Sequence, residues 1–227
     1  SGGVPTNKSL MAFDGTGDYL SCPDSDDWTF AAADFTVEMF VKFDVINTYN
    51  ALIGQFYNTG GANLKSWFIR YNSDGTILFR YTTDGATEID LVSSAISPLL
   101  SVGRWYHIAI TRQSTNIRYY VNGVQLDTDG IATASIANCT PLLYIGAYVG
   151  ASVQHPLNGK MDQIRISNTN RYPGGTTFTP PTTAFTGDSN TKLLVQSDFS
   201  EGGLGADHSG NYNYFTPTNL TADDMMP

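Results

Sequence analysis

Glu88 and Asp90 are the residues of this sequence whose type and spacing come closest to a catalytic pattern. They alternate with Ile89 and Leu91, and side chains two residues apart on a β-strand project from the same face. A retaining glycosidase needs two carboxyl groups about 5 Å apart across the scissile bond, and neighbours on one strand face have about that spacing. Hydrolysis of a glycosidic bond is therefore the first chemistry to test against the rest of the chain.

Other catalytic and metal chemistries lack the residues that they need. The three histidines, His107, His155 and His208, do not have the spacing of a zinc site. The sequence has no Gly-x-Ser-x-Gly elbow and no phosphate-binding glycine-rich loop before a helix. His107 could act as a general base, but no nucleophile accompanies it, so a histidine hydrogen-bonded within a sheet is the expected role.

Residues 105–127 show which elements hold such side chains in place. Alternating β-formers flank a polar turn at residues 113–116, and Asn122-Gly123 marks a second turn. Asn-Gly favours a type I′ hairpin turn because both central residues need positive φ. The segment predicts three consecutive antiparallel strands, the first of which has His107 on one face, Ile108 on the other, and is covered on both sides.

Period-two patterns separated by Asp-Gly and Asn-Gly turns recur along the chain. Further strands are predicted at residues 10–13, 19–22, 35–43, 51–57, 67–71, 77–81, 88–92, 142–147, 160–167 and 192–199. Helical patterns are weak and short, at residues 24–28 and 132–138, and the Pro-rich residues 172–185 are expected to wrap around the outside. Asp162 and Arg165 are expected on opposite faces of their strand. Two sheets packed face to face in one domain would bury this many half-apolar strands.

Composition limits the partners. A net charge of −9 over 227 residues argues against nucleic acid, whose phosphates require clustered Lys and Arg. No apolar run is long enough to cross a bilayer, so membrane insertion is not expected. The two cysteines, Cys22 and Cys139, are expected to be buried free thiols.

Seven short motifs occur in an order that closely resembles the laminin-G-like, or concanavalin A-like lectin/glucanase, jelly roll. They are FDG with DYL at residues 13–20, DFTVEMFVKF at 34–43, WYHIAITR at 105–112, IRYYVNG at 117–123, LYIGA at 143–147, LNGKMDQIRISN at 157–168 and RY at 171–172. The resemblance implies an all-β, two-sheet antiparallel jelly-roll sandwich over residues 9–211. Residues 1–8 are then a tag remnant or flexible lead, and residues 212–227 a tail leading to the rest of a longer protein.

Residues 87–93 resemble the catalytic strand of the glucanases in this family. There a third acid, the proton donor, comes after the pair, but Val92 and Ser93 stand at that position here. A retaining glycosidase without its acid/base loses the proton donor. The chain is therefore expected not to be an enzyme, and a glycan-cleaving activity is the least favoured alternative.

Jelly-roll lectins bind glycans at the concave sheet or at rim loops, with aromatic rings against sugar faces and amides on hydroxyls. By that resemblance, the glycan-binding candidates are Tyr49, Asn50, Tyr57, Asn58, Tyr148 and His155. The alternative is that a tyrosine-rich sandwich exposes some rings without binding anything.

Several members of the family hold a structural ion where early and late strands meet. Asp14, Asp18 and Asp207 could converge there and supply oxygen ligands to calcium. The alternative is that these carboxylates cap turns through local hydrogen bonds. Calcium is the one cofactor that the sequence suggests.

Residues 207–224 resemble the segments that come directly after such domains in tailed-phage and marine-virus structural proteins. The resemblance implies a recognition or adhesion module on a phage tail fibre or another virion protein, at the virion surface or outside the cell. Its partners would be host surface polysaccharide and other virion subunits. A purely structural domain for virion decoration or assembly is the alternative.

Overall fold

A computed structural model describes residues 10–96, 98–126, 130–197 and 202–226. Within these ranges the chain consists of strands and loops, with 3₁₀ turns at Asp26–Trp28 and Ala222–Asp224. In chain order the strands are β1 (Leu10–Asp14), β2 (Tyr19–Cys22), β3 (Phe35–Phe43), β4 (Asn50–Asn58), β5 (Lys65–Tyr71), β6 (Ile77–Thr82), β7 (Glu88–Val92), β8 (Trp105–Gln113), β9 (Asn116–Val121), β10 (Val124–Gln125), β11 (Gly130–Ile131), β12 (Leu143–Ile145), β13 (Tyr148–Gly150), β14 (Val153–Gln154), β15 (Asn158–Ser167), β16 (Thr191–Val195), β17 (Thr216–Thr218) and β18 (Met225–Met226). The predicted all-β class is confirmed.

The strands form two antiparallel sheets that pack as a sandwich. The first sheet has the order β10-β9-β8-β3-β15-β1-β18, with β11 beside β9 and β16 beside β15. The second has the order β17-β2-β12-β4-β5-β6-β7. The hairpin of β13 and β14 joins the second sheet through a parallel pairing of β13 with β4. This arrangement confirms the predicted jelly-roll sandwich.

The predicted hairpins of β8, β9 and β10 are present. Strands β8 and β9 pair from Ile108 with Val121 to Gln113 with Asn116. Asn122 and Gly123 both have positive φ, 50° and 76°, as a type I′ turn requires. The Asn122 side chain also accepts a hydrogen bond from the backbone N–H of His107, which fixes this turn to the start of β8.

One apolar core lies between the two sheets. Ile108 and Ile110 of β8 face Trp67 and Ile69 of β5 across it, and all four are fully buried. Side chains of this size contribute about 1.5–3 kcal/mol each when removed from water. The pattern that predicted the strands therefore also accounts for the stability of the sandwich.

The Pro-rich segment 172–185 covers the outer face of the first sheet, as predicted. The Tyr172 and Phe178 rings stack 3.6 Å apart, and Phe178 lies edge-on to His107 at 5.7 Å. Phe185 packs against Phe40 of β3 with ring centres 6.0 Å apart. Both faces of β8 are therefore buried, which confirms that it is a covered central strand.

A fully buried carboxylate lies beneath this covering segment. Glu38 accepts hydrogen bonds from Arg165 Nε and Nη2, at 2.9 and 2.7 Å, and from the Tyr172 hydroxyl at 2.6 Å. His107 Nε2 lies 3.0 Å from Glu38 Oε2, the oxygen that also accepts from Tyr172, so the expected structural role of His107 is confirmed. Burial raises the pKa of Glu38, but His107, Arg165 and Tyr172 together outweigh burial and lower the pKa to about 2.

The prediction that Asp162 and Arg165 occupy opposite faces is wrong. Asp162 pairs with Phe40 and Arg165 pairs with Glu38, so two residues of β15 oppose one residue of β3. Gln163, with φ of 52°, forms this β-bulge. The extra residue reverses the alternation, and both charged side chains therefore point under the covering segment.

The weak helical pattern at residues 132–138 does not produce a helix, whereas residues 26–28 of the other candidate form a 3₁₀ turn. The backbone groups that a helix would need are bonded elsewhere: the Ala132 carbonyl accepts from Arg112 Nη2, and the Ile136 and Ala137 N–H groups donate to Ala31 and Thr82. Tertiary hydrogen bonds have therefore outweighed the weak local preference of residues 132–138 for a helix.

The sandwich continues beyond residue 211, where the sequence placed its end. Thr216–Thr218 pairs with β2 and Met225–Met226 pairs with β1, so this segment adds a strand to each sheet. The lead at residues 1–8 lies outside the described residues, as do residues 198–199 at the end of the predicted late strand.

Cys22 and Cys139 are buried free thiols, as predicted. Burial, together with Asp207 and Asp27, raises the pKa of Cys22 to about 12, so its thiol stays protonated. No helix in the described part of the chain is long and apolar enough to span a bilayer.

Candidate functional site

The outer face of the second sheet carries most of the charged and aromatic groups that could bind a ligand. Alternation along β5 turns Trp67, Ile69 and Tyr71 into the core and leaves Phe68 and Arg70 outside. The same phase on β6 and β7 places Arg80 opposite Phe68 on one side and opposite Asp90 on the other. Side chains from three strands therefore form one continuous row.

An aromatic layer forms the floor of this face. Phe68 packs against Phe56 and Tyr148 with ring centres 5.0 and 4.8 Å away. Gly54 makes room for Phe68, because a Cβ at that position would lie only 2.2 Å from the Phe68 Cβ. The chain then returns over this floor through β13 and β14, and the Ala51 N–H donates to the His155 carbonyl at 2.8 Å.

Tyr49, His155 and Arg70 form the accessible end of the floor. The Tyr49 ring is 41% exposed and lies edge-on to the His155 imidazole, 4.9 Å away. His155 in turn lies 5.5 Å from the Tyr148 ring. The Arg70 guanidinium stacks over the Tyr49 ring at 4.2 Å. A solvent-accessible ring, an imidazole and a guanidinium thus converge within van der Waals reach of one another.

The opposite end of the face holds a network of ion pairs. Arg80 binds Glu88, and its Nη2 donates to Asp90 at 2.7 Å. Lys65 Nζ also donates to Glu88, at 2.7 Å. Hydrogen bonding to Asp90 raises the pKa of Arg80, so its guanidinium stays charged.

These ion pairs limit the catalytic chemistry that Glu88 and Asp90 could perform. The two carboxylates share a strand face, as predicted, but each is bound by a cation rather than left free across an open cleft. The position of the missing acid holds an exposed Val92, and the buried Ser93 accepts a hydrogen bond from the Ile77 N–H. No residue of this strand could supply a third carboxyl group as the catalytic acid.

The sequence of residues 14–173, well over half of the chain, matches the family model of the concanavalin A-like lectin/glucanases superfamily. The chain belongs to that superfamily. No curated protein matches the sequence.

Solved structures with this fold include a candidate carbohydrate-binding protein from Bacteroides ovatus, 18% identical with a TM-score of 0.65, where 94% of this chain spans 59% of that one. A heptameric pentraxin from Limulus polyphemus is 13% identical with a TM-score of 0.53, and covers 96% of this chain and 94% of its own. The CBM40 of a Ruminococcus gnavus sialidase, bound to α2,3-sialyllactose, is 15% identical with a TM-score of 0.51 over 68% and 86% of the chains. At these identities the likeness concerns the fold.

Within this superfamily fold, three of the six glycan-binding candidates come together. Tyr49, Tyr148 and His155 form a chain of ring contacts. Tyr148, however, is only 5% exposed and forms part of the aromatic floor, because residues 148–154 form a hairpin on the sheet rather than a rim loop. Tyr57 and Asn58 pair with β13, farther along β4, where Tyr57 is half-buried and Asn58 is exposed.

Asn50 is not available to a ligand. It is fully buried, its Nδ2 donates to the Val45 and Thr48 carbonyls, and its Oδ1 accepts from the Asn158 N–H. The amide therefore holds the loop before β4 in place. Its proximity to Tyr49 in the sequence gave no signal that its side chain points inward.

Arg70 and Arg80 belong to the face, although the sequence did not mark them as candidates. A signal existed, because in Trp67-Phe68-Ile69-Arg70-Tyr71 and Ile77-Leu78-Phe79-Arg80-Tyr81 each arginine shares the outward phase of its strand.

The acidic residues proposed to hold calcium are engaged in local hydrogen bonds. Asp18 accepts from the Asp14 N–H at 2.8 Å, and Asp207 accepts from the N–H groups of Leu194, Ser209 and Asn213. Burial raises the pKa of Asp18, whereas hydrogen bonds from Thr16 lower that of Asp14. Among the residues that the structure describes, no three acidic, histidine or cysteine side chains are grouped as metal ligands, so Asp207 does not converge with the other two.

Proposed function

We propose that this chain is a non-catalytic glycan-binding module and that its site is the outer face of the second sheet around Tyr49, Arg70, Tyr148 and His155. The observation that supports this most directly is the accessible end of the face, where Tyr49 presents a ring 41% exposed beside His155 and Arg70. A flat ring flanked by polar groups is the arrangement that binds one face of a sugar and its hydroxyls.

The electrostatics of the same face favour binding over hydrolysis. Glu88 and Asp90 are held by Lys65 and Arg80, so neither is free to attack a sugar or to donate a proton to one. The carbohydrate-binding description of the Bacteroides ovatus protein and the sialyllactose complex of the Ruminococcus gnavus domain are consistent with this use of the fold. Display on a phage tail fibre or another virion protein, facing host polysaccharide, belongs to the same proposal and rests on the sequence of residues 207–224.

A glycan array with purified, labelled chain tests the proposal. Binding to at least one glycan class is expected, and Tyr49→Ala is expected to weaken it about tenfold, equivalent to about 1.4 kcal/mol. Tyr214→Ala is the matched control, since Tyr214 is 76% exposed and lies outside the face. If Tyr49→Ala and Tyr214→Ala lose glycan affinity equally, the binding site lies elsewhere on the protein. If the chain binds no glycan on the array and self-associates, the result supports an assembly domain instead.

A further inference from the structure

We propose that this face selects anionic glycans, and that the Arg70 guanidinium binds the carboxylate or sulfate group of the sugar. The inference rests on the proposed function and adds the chemical class of the ligand.

The cations of the face are not equally paired. Two cations, Lys65 and Arg80, bind two carboxylates, those of Glu88 and Asp90. Arg70 is the remaining cation: Asp90 and Asp74 interact with it electrostatically, but among the described residues no carboxylate forms a direct ion pair with it. A half-buried guanidinium that has lost part of its water and has no counterion in direct contact provides a favourable position for an anion.

Arg70 is also held in a fixed orientation. Its Nε donates to Asn72 Oδ1 at 2.8 Å, and Asn72, itself buried, is anchored by its Nδ2 donating to Thr76 Oγ1 at 2.8 Å. The Tyr49 ring covers one face of the guanidinium at 4.2 Å, with Phe68 at 5.8 Å. Nε is occupied and the Arg70 side chain also hydrogen-bonds the Tyr148 hydroxyl, so a carboxylate or sulfate would bind the remaining Nη N–H groups at the end of the guanidinium. An orientation fixed in advance lowers the entropy cost of binding.

The neighbouring groups favour the same charge. Burial, Arg70 and Arg80 all lower the pKa of His155, so the imidazole is neutral near pH 7 and can bond to a sugar hydroxyl. Burial likewise lowers the pKa of Arg70, a sign that its charge is incompletely solvated. Arg70, which disfavours a proton on His155, is the positive group that an anionic ligand would meet.

Non-specific attraction of polyanions is disfavoured for this chain. Its net charge of −9 repels them at long range, so any preference for acidic over neutral glycans has to arise from a local site. A preference for acidic ligands would therefore indicate a local anion-binding site, whereas in a basic protein it could result from long-range attraction alone.

Matched pairs of glycans test the inference. Oligogalacturonate is compared with its methyl ester, and a sulfated galactan oligosaccharide with its desulfated form, so that the carboxylate and the sulfate are each removed from an unchanged backbone. At least tenfold tighter binding of one or both acidic members is expected in a titration. Arg70→Gln should abolish the preference, while Arg104→Gln, which removes the same charge from an exposed turn residue, should keep it.

The possible outcomes separate failure of the inference from failure of the proposed function. Equal binding of acidic and neutral members overturns the inference and leaves the proposed function standing, whereas binding of neither, with none on the glycan array, overturns the proposed function itself. A preference that survives in Arg70→Gln also overturns the inference. If Arg70→Gln does not fold, Asp90→Asn replaces it, since freeing Arg80 from one carboxylate should strengthen acidic binding several-fold, and an unchanged or weaker affinity contradicts the inference.

Discussion

Replacing Glu38 by glutamine should destabilise the protein and make its stability depend less on pH in the acid range. The carboxylate is fully buried and bound by Arg165, Tyr172 and His107. Glutamine fills the same space but leaves the Arg165 guanidinium, with a side chain only 9% exposed, without its counterion. Breaking one partner of a buried ion pair costs about 3–5 kcal/mol.

The lowered pKa of Glu38 gives an independent value for the stability that its carboxylate contributes. Its pKa falls from an ordinary 4.5 to about 2 in the folded protein. One pKa unit corresponds to about 1.4 kcal/mol, so the folded state gains about 3 kcal/mol from the ionised carboxylate. Because the folded pKa is the lower one, this stability is fully present above about pH 4.5 and is lost as the pH falls towards 2.

Denaturant unfolding at a series of pH values measures both effects. At pH 7, Glu38→Gln should lower the free energy of unfolding by about 3–5 kcal/mol, and the gap from the wild type should narrow between pH 4.5 and 2. Asp84 and Asp188, whose pKa values are also lowered by hydrogen bonds, titrate in both proteins, so the difference isolates Glu38. Glu88→Gln is the matched control and should change stability by less than about 1 kcal/mol. A gap that is small at pH 7, or constant with pH, would refute the reasoning.

Three further predictions concern the turn, the ion and catalysis. Gly123→Ala should lower the melting temperature far more than Gly103→Ala, because both have positive φ but only the Cβ at 123 would lie 1.9 Å from a carbonyl of the covering segment. If Asp14 and Asp18 hold calcium, excess calcium at about 100 times its Kd should add about 2.7 kcal/mol to the stability of chelated protein, and an unchanged melting midpoint would remove the ion. No release of reducing sugar from β-glucans is expected, and release that disappears in Glu88→Gln would restore the enzyme hypothesis.

The fold could be predicted because its determinants are local. The alternation along β3 and β8 and the Asn122-Gly123 turn each have one low-energy solution, and the sandwich results from burying the apolar phases together. The failures occur where one residue shifts that phase. The bulge at Gln163 moved Arg165 to the face of Glu38, and no local pattern marks that insertion.

The site could be predicted only in part because it is assembled by tertiary contacts. Tyr49 and His155 are far apart in the sequence and meet because the β13–β14 hairpin folds back onto β4. Asn50 lies next to Tyr49, yet it turns inward to satisfy the loop backbone. Alternation did encode the outward phase of Arg70, but the pairing of neighbouring charges that leaves it without a carboxylate depends on the register between β6 and β7.

The two outer faces of the sandwich have different physical roles. On the first sheet, Tyr172, Phe178 and Phe185 close over Glu38 and His107, so the Glu38 carboxylate is bonded to partners inside the protein and contributes to stability. The second sheet has an aromatic floor too, but Tyr49 at its end remains 41% exposed, with Arg70 stacked over its ring. A buried carboxylate held by three partners is closed to a ligand, whereas a guanidinium without a direct carboxylate partner, at the accessible end of a face, can bind one. Ligand binding is therefore expected on the second sheet, and substitutions beneath the covering segment should reduce stability while leaving glycan preference unchanged in the molecules that remain folded.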